Sequence, residues 1–600
     1  MIMNDTKGYL ESRDLAKIPK GWLAYPSKNV FSYKGKVVTR GGIENDGTVA
    51  TVQEPVHSET VWKDCIGGAR PIRVHGTTVQ VKYNNKWYTI FTGITATTRV
   101  YFTTWLDGNS SIYRKRLVMS DGSTKLHVWN GAIAEVESAT SNSVTFAIAG
   151  GTCLRRGFDA GNVTNQNIMH FIGSATTANS TETYTNDASA QVLNLSGTFN
   201  TTPVAGDVII SAPVTFNNAV SANFNIDVVY TYKNHVVCAN FDSPEVYFSH
   251  VATYSLATGF DFAMPILANR TALTPIFMQL DGNFQGMIAR RNTLWISDYD
   301  DWYKVNKNNE VNSYGLWVDV EKFETGERKG TLPMALAIYD GDIVYLSQEG
   351  TLQRLTQDAV TAKDELMLLS DEIEGLLNRL DKTDVRIKYL TRAIYLIFPN
   401  DSTVVMLDTI EKYFQPPQIM PVNCMSVIEG VLYGHHNVEN QTFQMFTGRS
   451  DLETDLESII AYGYTRGQDE FDAQEQTYIG VSCRLTDTTS VTVDMEYEED
   501  GAVAKPQWNI IGSNITKFYV PDDTSWGTHP YGTYPLGGSD PEVTDLRRAI
   551  VFKKQAQVKH YNFRPIFTVT GQNNEFHLLA FGTDMSKSST VTNKNLFVDN

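Results

Sequence analysis

The chain has 600 residues, 42% hydrophobic and 20% charged, ordinary globular usage and enough length for about three to five domains with large cores. Its 67 acidic and 50 basic residues leave a formal charge of -17, which disfavours a protein whose main task is to neutralise phosphates, although DNA can slide past an acidic wall without sticking. Cys65, Cys153, Cys238, Cys424 and Cys483 are far apart, odd in number and without a C-x-x-C pair, so they read as reduced, individually buried thiols. Met1 to Lys20 carry charges throughout with no apolar h-region, and no run of about 18 apolar residues offers a bilayer span. The expectation is a chain assembled in the cytoplasm with no stable membrane insertion.

In chain order, residues 1–60 predict an N-terminal strand-and-hairpin region joining the platform or the propeller described below. Residues 61–156 carry hairpin candidates at Ile72 to Val81 and Leu126 to Glu135, read as first blades. Residues 157–224 are rich in Ser, Thr, Asn and Ala with few charges, which predicts an inserted β domain; a mobile polar loop is the alternative. Residues 225–450 repeat the hairpin unit at Val229 to Cys238, Met287 to Ile296, Ala335 to Leu346, Ile387 to Leu396 and Cys424 to Tyr433. Copies recur at roughly 40 to 60 residues, the spacing of propeller blades. A hairpin cannot bury both faces alone, so such units stack, either as a ring with few open edges or as unrelated sandwiches.

Within that series 364–380 predicts a helix, with Ser370 as N-cap and Ile373, Leu376, Leu377 and Leu380 on one face. Residues 451–585 predict an antiparallel sandwich from strands near Ser490 to Tyr497, Ala549 to Phe552, Phe563 to Val569 and Phe576 to Phe581, with a Gly/Pro/Tyr loop at Trp526 to Gly538. Residues 586–600 read as a polar tail. The fold class is therefore all-β: a β-propeller core, antiparallel sandwich platform or tip domains, and one short helical segment.

Motifs for chemistry are sparse. No Walker loop, G-x-G-x-x-G, G-x-S-x-G or H-E-x-x-H is present. Adjacent His435 and His436 point to opposite faces of a strand and make a poor chelate. Ser120 to Trp129 approaches the Asp-box turn of propeller glycosidases but misses its spacing, and Glu498-Glu499 read as a solvated hairpin. The aromatics, such as Trp87-Tyr88, Trp295 and Trp302-Tyr303, read as sheet packing before stacking platforms. No catalytic residue, metal ligand or cofactor is assigned.

The N-terminal segments Ile18-Pro-Lys-Gly21, Tyr25 to Val30 and Gly35 to Gly42 resemble the opening of tail proteins of short-tailed bacteriophages. Ser243 to Ser249, with Phe260 and Phe262, is similar to a second segment of those proteins, and Phe563-Arg564 followed by Phe576 to Gly582 is similar to their ending. Ile18 replaces their usual Leu. The resemblance implies a tail nozzle or tubular hub: a non-enzymatic virion protein with a propeller and β-rich platform and tip, assembled as a hexameric ring with an axial channel for genome retention and DNA ejection. Its implied partners are copies of itself, portal or adaptor proteins, tail fibre or tip proteins, and genomic DNA in transit. The alternative is a receptor- or glycan-binding propeller of the tail.

Two charge blocks supply candidate sites. Residues 1–40 hold eight Lys/Arg against Asp5, Glu11 and Asp14, a pole of +5 in an acidic protein, so Lys7, Arg13, Lys17 and Lys20 are candidates for docking an acidic neighbour; a solvated arm is the alternative. Residues 451–500 hold 14 Asp/Glu against Arg466 and Arg484. Asp469, Glu470, Asp472 and Glu475 are candidates to face a DNA channel and work by repulsion, against the alternative of a solubilising surface.

Overall fold

β-branched and aromatic runs separated by two residues that tolerate positive φ are sufficient to write hairpins, and this chain repeats that formula. Lys233-Asn234 (φ 46° and 68°) join Val228–Tyr232 to His235–Ala239, Asp340-Gly341 (52° and 75°) join Thr331–Tyr339 to Asp342–Ser347, and Glu429-Gly430 (52° and 87°) join Val422–Ile428 to Val431–His436. Thr391-Arg392 (51° and 72°) do the same between Arg386–Leu390 and Ala393–Phe398.

The computed structural model describes residues 2–587 except 4–5, 12–14, 47–52, 64–67, 96–98, 108–113, 148–166, 174–177, 179, 184–191, 250–253, 256–258, 263–276, 307–318, 324–329, 358–362, 449, 453, 467–473, 487, 500–501, 505–506, 512–546, 561 and 572–574. Among the described residues, seven antiparallel sheets in chain order are blades 1 (56–92), 2 (101–129 with Val214–Phe216), 3 (228–279), 4 (286–323), 5 (331–368), 6 (386–419) and 7 (422–445). Blade 6 has five strands and the others four. The first strands of successive blades touch in order, and Val422–Ile428 of blade 7 returns to Val56–Lys63 of blade 1, so the ring is closed. The chain is a seven-bladed β-propeller.

Closure uses both ends of the series. Ile43–Asn45 is the outer strand of blade 7, with Ile43 opposite Met445 and Asn45 opposite Phe443. To reach it the backbone squeezes past its neighbours: a Cβ on Gly42 would lie 2.0 Å from the carbonyl oxygen of Ser450. Between blades the facing sheets bury separate apolar cores, for example Val237, Val246, Met287 and Ile296 between blades 3 and 4, and Trp302, Leu336, Ile343 and Tyr345 between blades 4 and 5.

A sandwich of two sheets sits against blades 5 and 6. One sheet runs Val30–Tyr33, Lys36–Thr39, Phe576–Lys587, Gln474–Leu485, Arg547–His560; the other is centred on Ser458–Ala461, Asn562–Thr570 and Ser490–Glu499. Val481, Cys483, Phe576 and Leu578 of the first face Val491, Val493, Phe567 and Val569 of the second, in one core that also takes in Val344, Leu346, Leu396 and Phe398 of the blades. The N-terminal hairpin thus belongs to the sandwich, and the strand after it to the propeller.

Three boundaries differ from the sequence reading. The inserted sheet spans Ile133–Ala139 to Val208–Ser211 rather than starting at 157, and Val214–Phe216 returns to complete blade 2. Leu126 to Glu135 is accordingly no hairpin: Leu126–Trp129 ends in the blade and Ile133 opens the insertion. The insertion's strands serve two cores on alternate residues, Ile168 and Ile209 inside it, Met169, Val208 and Ile210 against blades 1 and 2. Part of 157–224, the loop at 526–538 and nearly all of the tail 586–600 lie outside the described residues. The helical segment is also shorter than 364–380. Asp364–Leu368 is the fourth strand of blade 5, and only Asp371–Ile373 and Glu374–Arg379 are helical. An unsatisfied sheet edge outcompetes one turn of helix for those residues. Ser370 makes no side-chain cap there; its hydroxyl accepts from Leu352 N–H at 3.0 Å. Ile373, Leu376 and Leu377 are buried under the sandwich.

Candidate functional site

The basic N-terminal segment is strapped down rather than free. Its backbone donates from Lys7 to Gly21 O at 2.7 Å, from Tyr9 to Phe414 O at 2.7 Å, from Glu11 to Glu372 O at 2.8 Å and from Ala24 to Ala461 O at 2.8 Å. It therefore crosses from the sandwich to blade 6 and the short helix. Lys7, Lys17 and Lys20 are exposed, while Arg13 lies outside the described residues. Tyr9, buried in the seam, has its phenol pushed well above its ordinary value by desolvation, and its hydroxyl donates to Glu11 at 2.7 Å.

Lys7 opens onto a cleft of about 520 Å³ between this segment, the Lys34-Gly35 turn and the blade 6 turn at Glu411-Lys412. Lys7, Lys34 and Lys412 line it against Glu372 and Glu411, an excess of one positive charge. Trp22 and Tyr413 form an edge-to-face pair in its wall, centroids 6.5 Å apart. Burial and then the neighbouring Asp371 raise the Glu372 carboxyl, which weakens it as a competitor for the lysines. Ammonium groups beside half-exposed rings suit an acidic segment with an apolar side chain. The sequence tally held Lys7 and Lys34, but Trp22 is uncharged and Lys412 and Tyr413 come from a distant blade 6 turn, so none of the three gave a signal there.

The acidic stretch is not a uniform wall. Asp451 pairs with Arg40, Glu457 with Lys28 and Glu496 with Arg564, so part of its charge is neutralised internally. Asp469, Glu470 and Asp472 lie outside the described residues. Glu475 is in the strand Gln474–Leu485, in register with Lys559 and Ser586 on its two neighbours.

Most of the other residues weighed for chemistry are buried in structural positions, and the side chains of Glu498 and Glu499 lie outside the described ones. Cys238, Cys424 and Cys483 are free and buried; burial pushes the last two thiols up to about 12, which suppresses the thiolate a nucleophile needs. His435 Nδ1 lies 3.0 Å from Thr442 Oγ1, whereas His436 Nδ1 accepts from Val438 and Glu439 N–H at 3.0 Å each. In the Ser120 to Trp129 turn, Asp121 accepts from Thr95 N–H at 3.1 Å and Ser123 Oγ at 2.6 Å, with His127 Nε2 at 3.5 Å. Burial alone would raise that carboxyl, but the hydrogen bonds from His127, Ser123 and Thr95 outweigh it and hold it well below the usual carboxylate range. Trp87, Tyr88, Trp295, Trp302 and Tyr303 are all buried in the sheets.

No protein family and no curated protein matches the sequence. Among solved structures the chain is similar to the β-propeller domain of Cps50 (Swd1) from Myceliophteria thermophila, at 7% identity and TM-score 0.35 over 67% of this chain and 98% of that one. It is also similar to Hsv2 from Kluyveromyces lactis, at 9% identity and TM-score 0.24 over 60% of this chain and 97% of that one. The propeller assignment stands on the seven sheets and their closure rather than on these likenesses.

Proposed function

We propose that the chain is a non-enzymatic virion protein of a short-tailed bacteriophage tail, a nozzle or hub that closes with copies of itself into a ring, six-fold by resemblance, around a passage for DNA. The observation that carries this reading is that the segments bearing the resemblance, from opposite ends of the chain, build one module. Val37 and Val38 pair with Leu578 and His577, Phe576 N–H donates to Thr39 Oγ1 at 3.1 Å, and Arg564 donates to Tyr25 O at 3.0 Å. In this reading the lysine cleft receives an acidic segment of a portal or adaptor protein, tail fibre or tip proteins occupy other faces, and the acidic stretch borders the DNA. The competing reading, a receptor- or glycan-binding propeller, has the Trp22–Tyr413 pair in its favour, since sugars stack on such rings. Electron microscopy of the purified chain separates the two: six-fold annuli support the nozzle, whereas trimers or monomers that bind glycan support the alternative.

A further inference from the structure

Three blades send charged side chains to the propeller axis, and their charges do not balance. Arg99, just before the first strand of blade 2, reaches Asp384 of blade 6, Nη1 to Oδ1 3.7 Å. Arg386, which opens the first strand of blade 6, donates from Nη2 to the other oxygen of Asp384 at 2.6 Å. Beside them Lys388 of blade 6 donates to Glu59 of blade 1 at 2.9 Å, a self-contained pair. Blades 6, 1 and 2 thus meet across the axis, over Cys424 of blade 7, whose Sγ donates to Val56 O at 3.5 Å.

Two guanidinium groups therefore share one carboxylate. The Arg386 side chain is only 2% exposed, while Asp384 is 41% exposed and partly spent on water. A buried guanidinium has five donors to satisfy, and leaving them or their charge uncompensated is costly. Among the described residues the Arg386 side chain makes one hydrogen bond, to Asp384, and its Nε is buried with no partner. Among the described residues no other group supplies the missing charge. His57 holds Gly76 O and Ser58 Oγ and burial pushes its imidazole below the ordinary value. Asp227, close to Tyr101, accepts from Phe241 N–H at 2.8 Å and has Asp242 as its charged neighbour. Arg99 lies over the Tyr101 ring, 5.0 Å from its centroid, and keeps 20% of its side chain open.

We propose that this axial cluster is a binding site for a small oxyanion of the phosphate or carboxylate class, held between Arg386 and Arg99, which ties blades 6, 7, 1 and 2 together. A planar guanidinium matches two oxygens of such an anion, and a second one facing it from another blade closes the grip. The site does not depend on the tail reading.

The test is thermal unfolding of the full chain in sodium phosphate, sodium acetate and sodium chloride at matched ionic strength, with binding followed by calorimetry. A ligand bound only by the folded state raises the midpoint progressively with its concentration. The expected result is a saturable rise with phosphate or with acetate over chloride, phosphate alone marking a phosphate site and acetate alone a carboxylate site. Arg99→Gln, partly exposed and tolerable to the fold, should weaken that binding at least tenfold, and Arg386→Lys should do so more severely if it folds. Equal effects of all three salts, or an undiminished rise in Arg99→Gln, would overturn the proposal and leave the Arg386 Nε buried and unpaired.

Discussion

Arg40 is the side chain on which the junction of propeller and sandwich turns. It is buried and donates to Asn29 Oδ1 at 3.2 Å, to Gly41 O at 3.0 Å, to Ile419 O at 2.9 Å and to Asp451 Oδ1 at 2.8 Å, with a second bond to Asp451 Oδ2. These partners belong to the N-terminal hairpin, blade 6 and the exit from blade 7. Arg40→Met fills the volume but leaves Asp451, only 17% exposed, as an uncompensated charge, and breaking such a pair costs about 3–5 kcal/mol. At about 2–4 °C per kcal/mol for a cooperative unit of some 150–250 residues, the midpoint falls roughly 6–20 °C. Asp451→Asn added to Arg40→Met removes the stranded charge and should recover part of the loss. Calorimetry on the two single variants and the double decides it. A loss below about 1 kcal/mol, or a double variant no better than Arg40→Met, would refute the clamp.

Stability should also depend on pH through His435. Burial first, and then Arg73, Lys388, Lys82 and Arg386, hold its imidazole well below the ordinary value. The unfolded chain binds a proton there that the fold refuses, so stability is full above about pH 6.5 and falls below it by up to about 1.4 kcal/mol per pH unit. Urea midpoints between pH 8 and 5 should show this slope, reduced in His435→Gln; an unchanged slope in that variant contradicts it. Gly42→Val places a side chain against Ser450 O, so the strand Ile43–Asn45 should detach and amide exchange across 442–445 should accelerate, while the inserted sheet keeps its protection. Reversing Lys7, Lys34 and Lys412 to Glu should weaken capture of an acidic partner at least tenfold and flatten its salt dependence, with the thermal midpoint unchanged.

Hairpins such as Ala335 to Leu346 and Cys424 to Tyr433 were legible because strand alternation and positive-φ turns are local properties. Their closure into a ring was not. Ile43 finds Met445 some four hundred residues away, and no periodicity announces which edge a short strand will complete. The same limit moved Asp364–Leu368 from helix to blade, since the deciding partner is Leu352–Gln357 rather than its own apolar spacing. For the sites, net charge pointed to Lys7 and its neighbours because a charged pole survives any fold. It could not foresee that Asp451, Glu457 and Glu496 would be neutralised by cations from remote segments. Arg99 and Arg386 escaped notice for the same reason: only ring closure brings blades 2 and 6 to one axis.

Self-assembly into a ring is the central property proposed for this chain, and the most direct measurement of it is the mass of the purified chain in solution. Sedimentation at micromolar concentration, alone and mixed with neighbouring tail proteins, should give one closed species at six times the 67.1 kDa chain. A single 67.1 kDa species under both conditions would contradict the ring and the nozzle reading with it, while leaving the propeller intact.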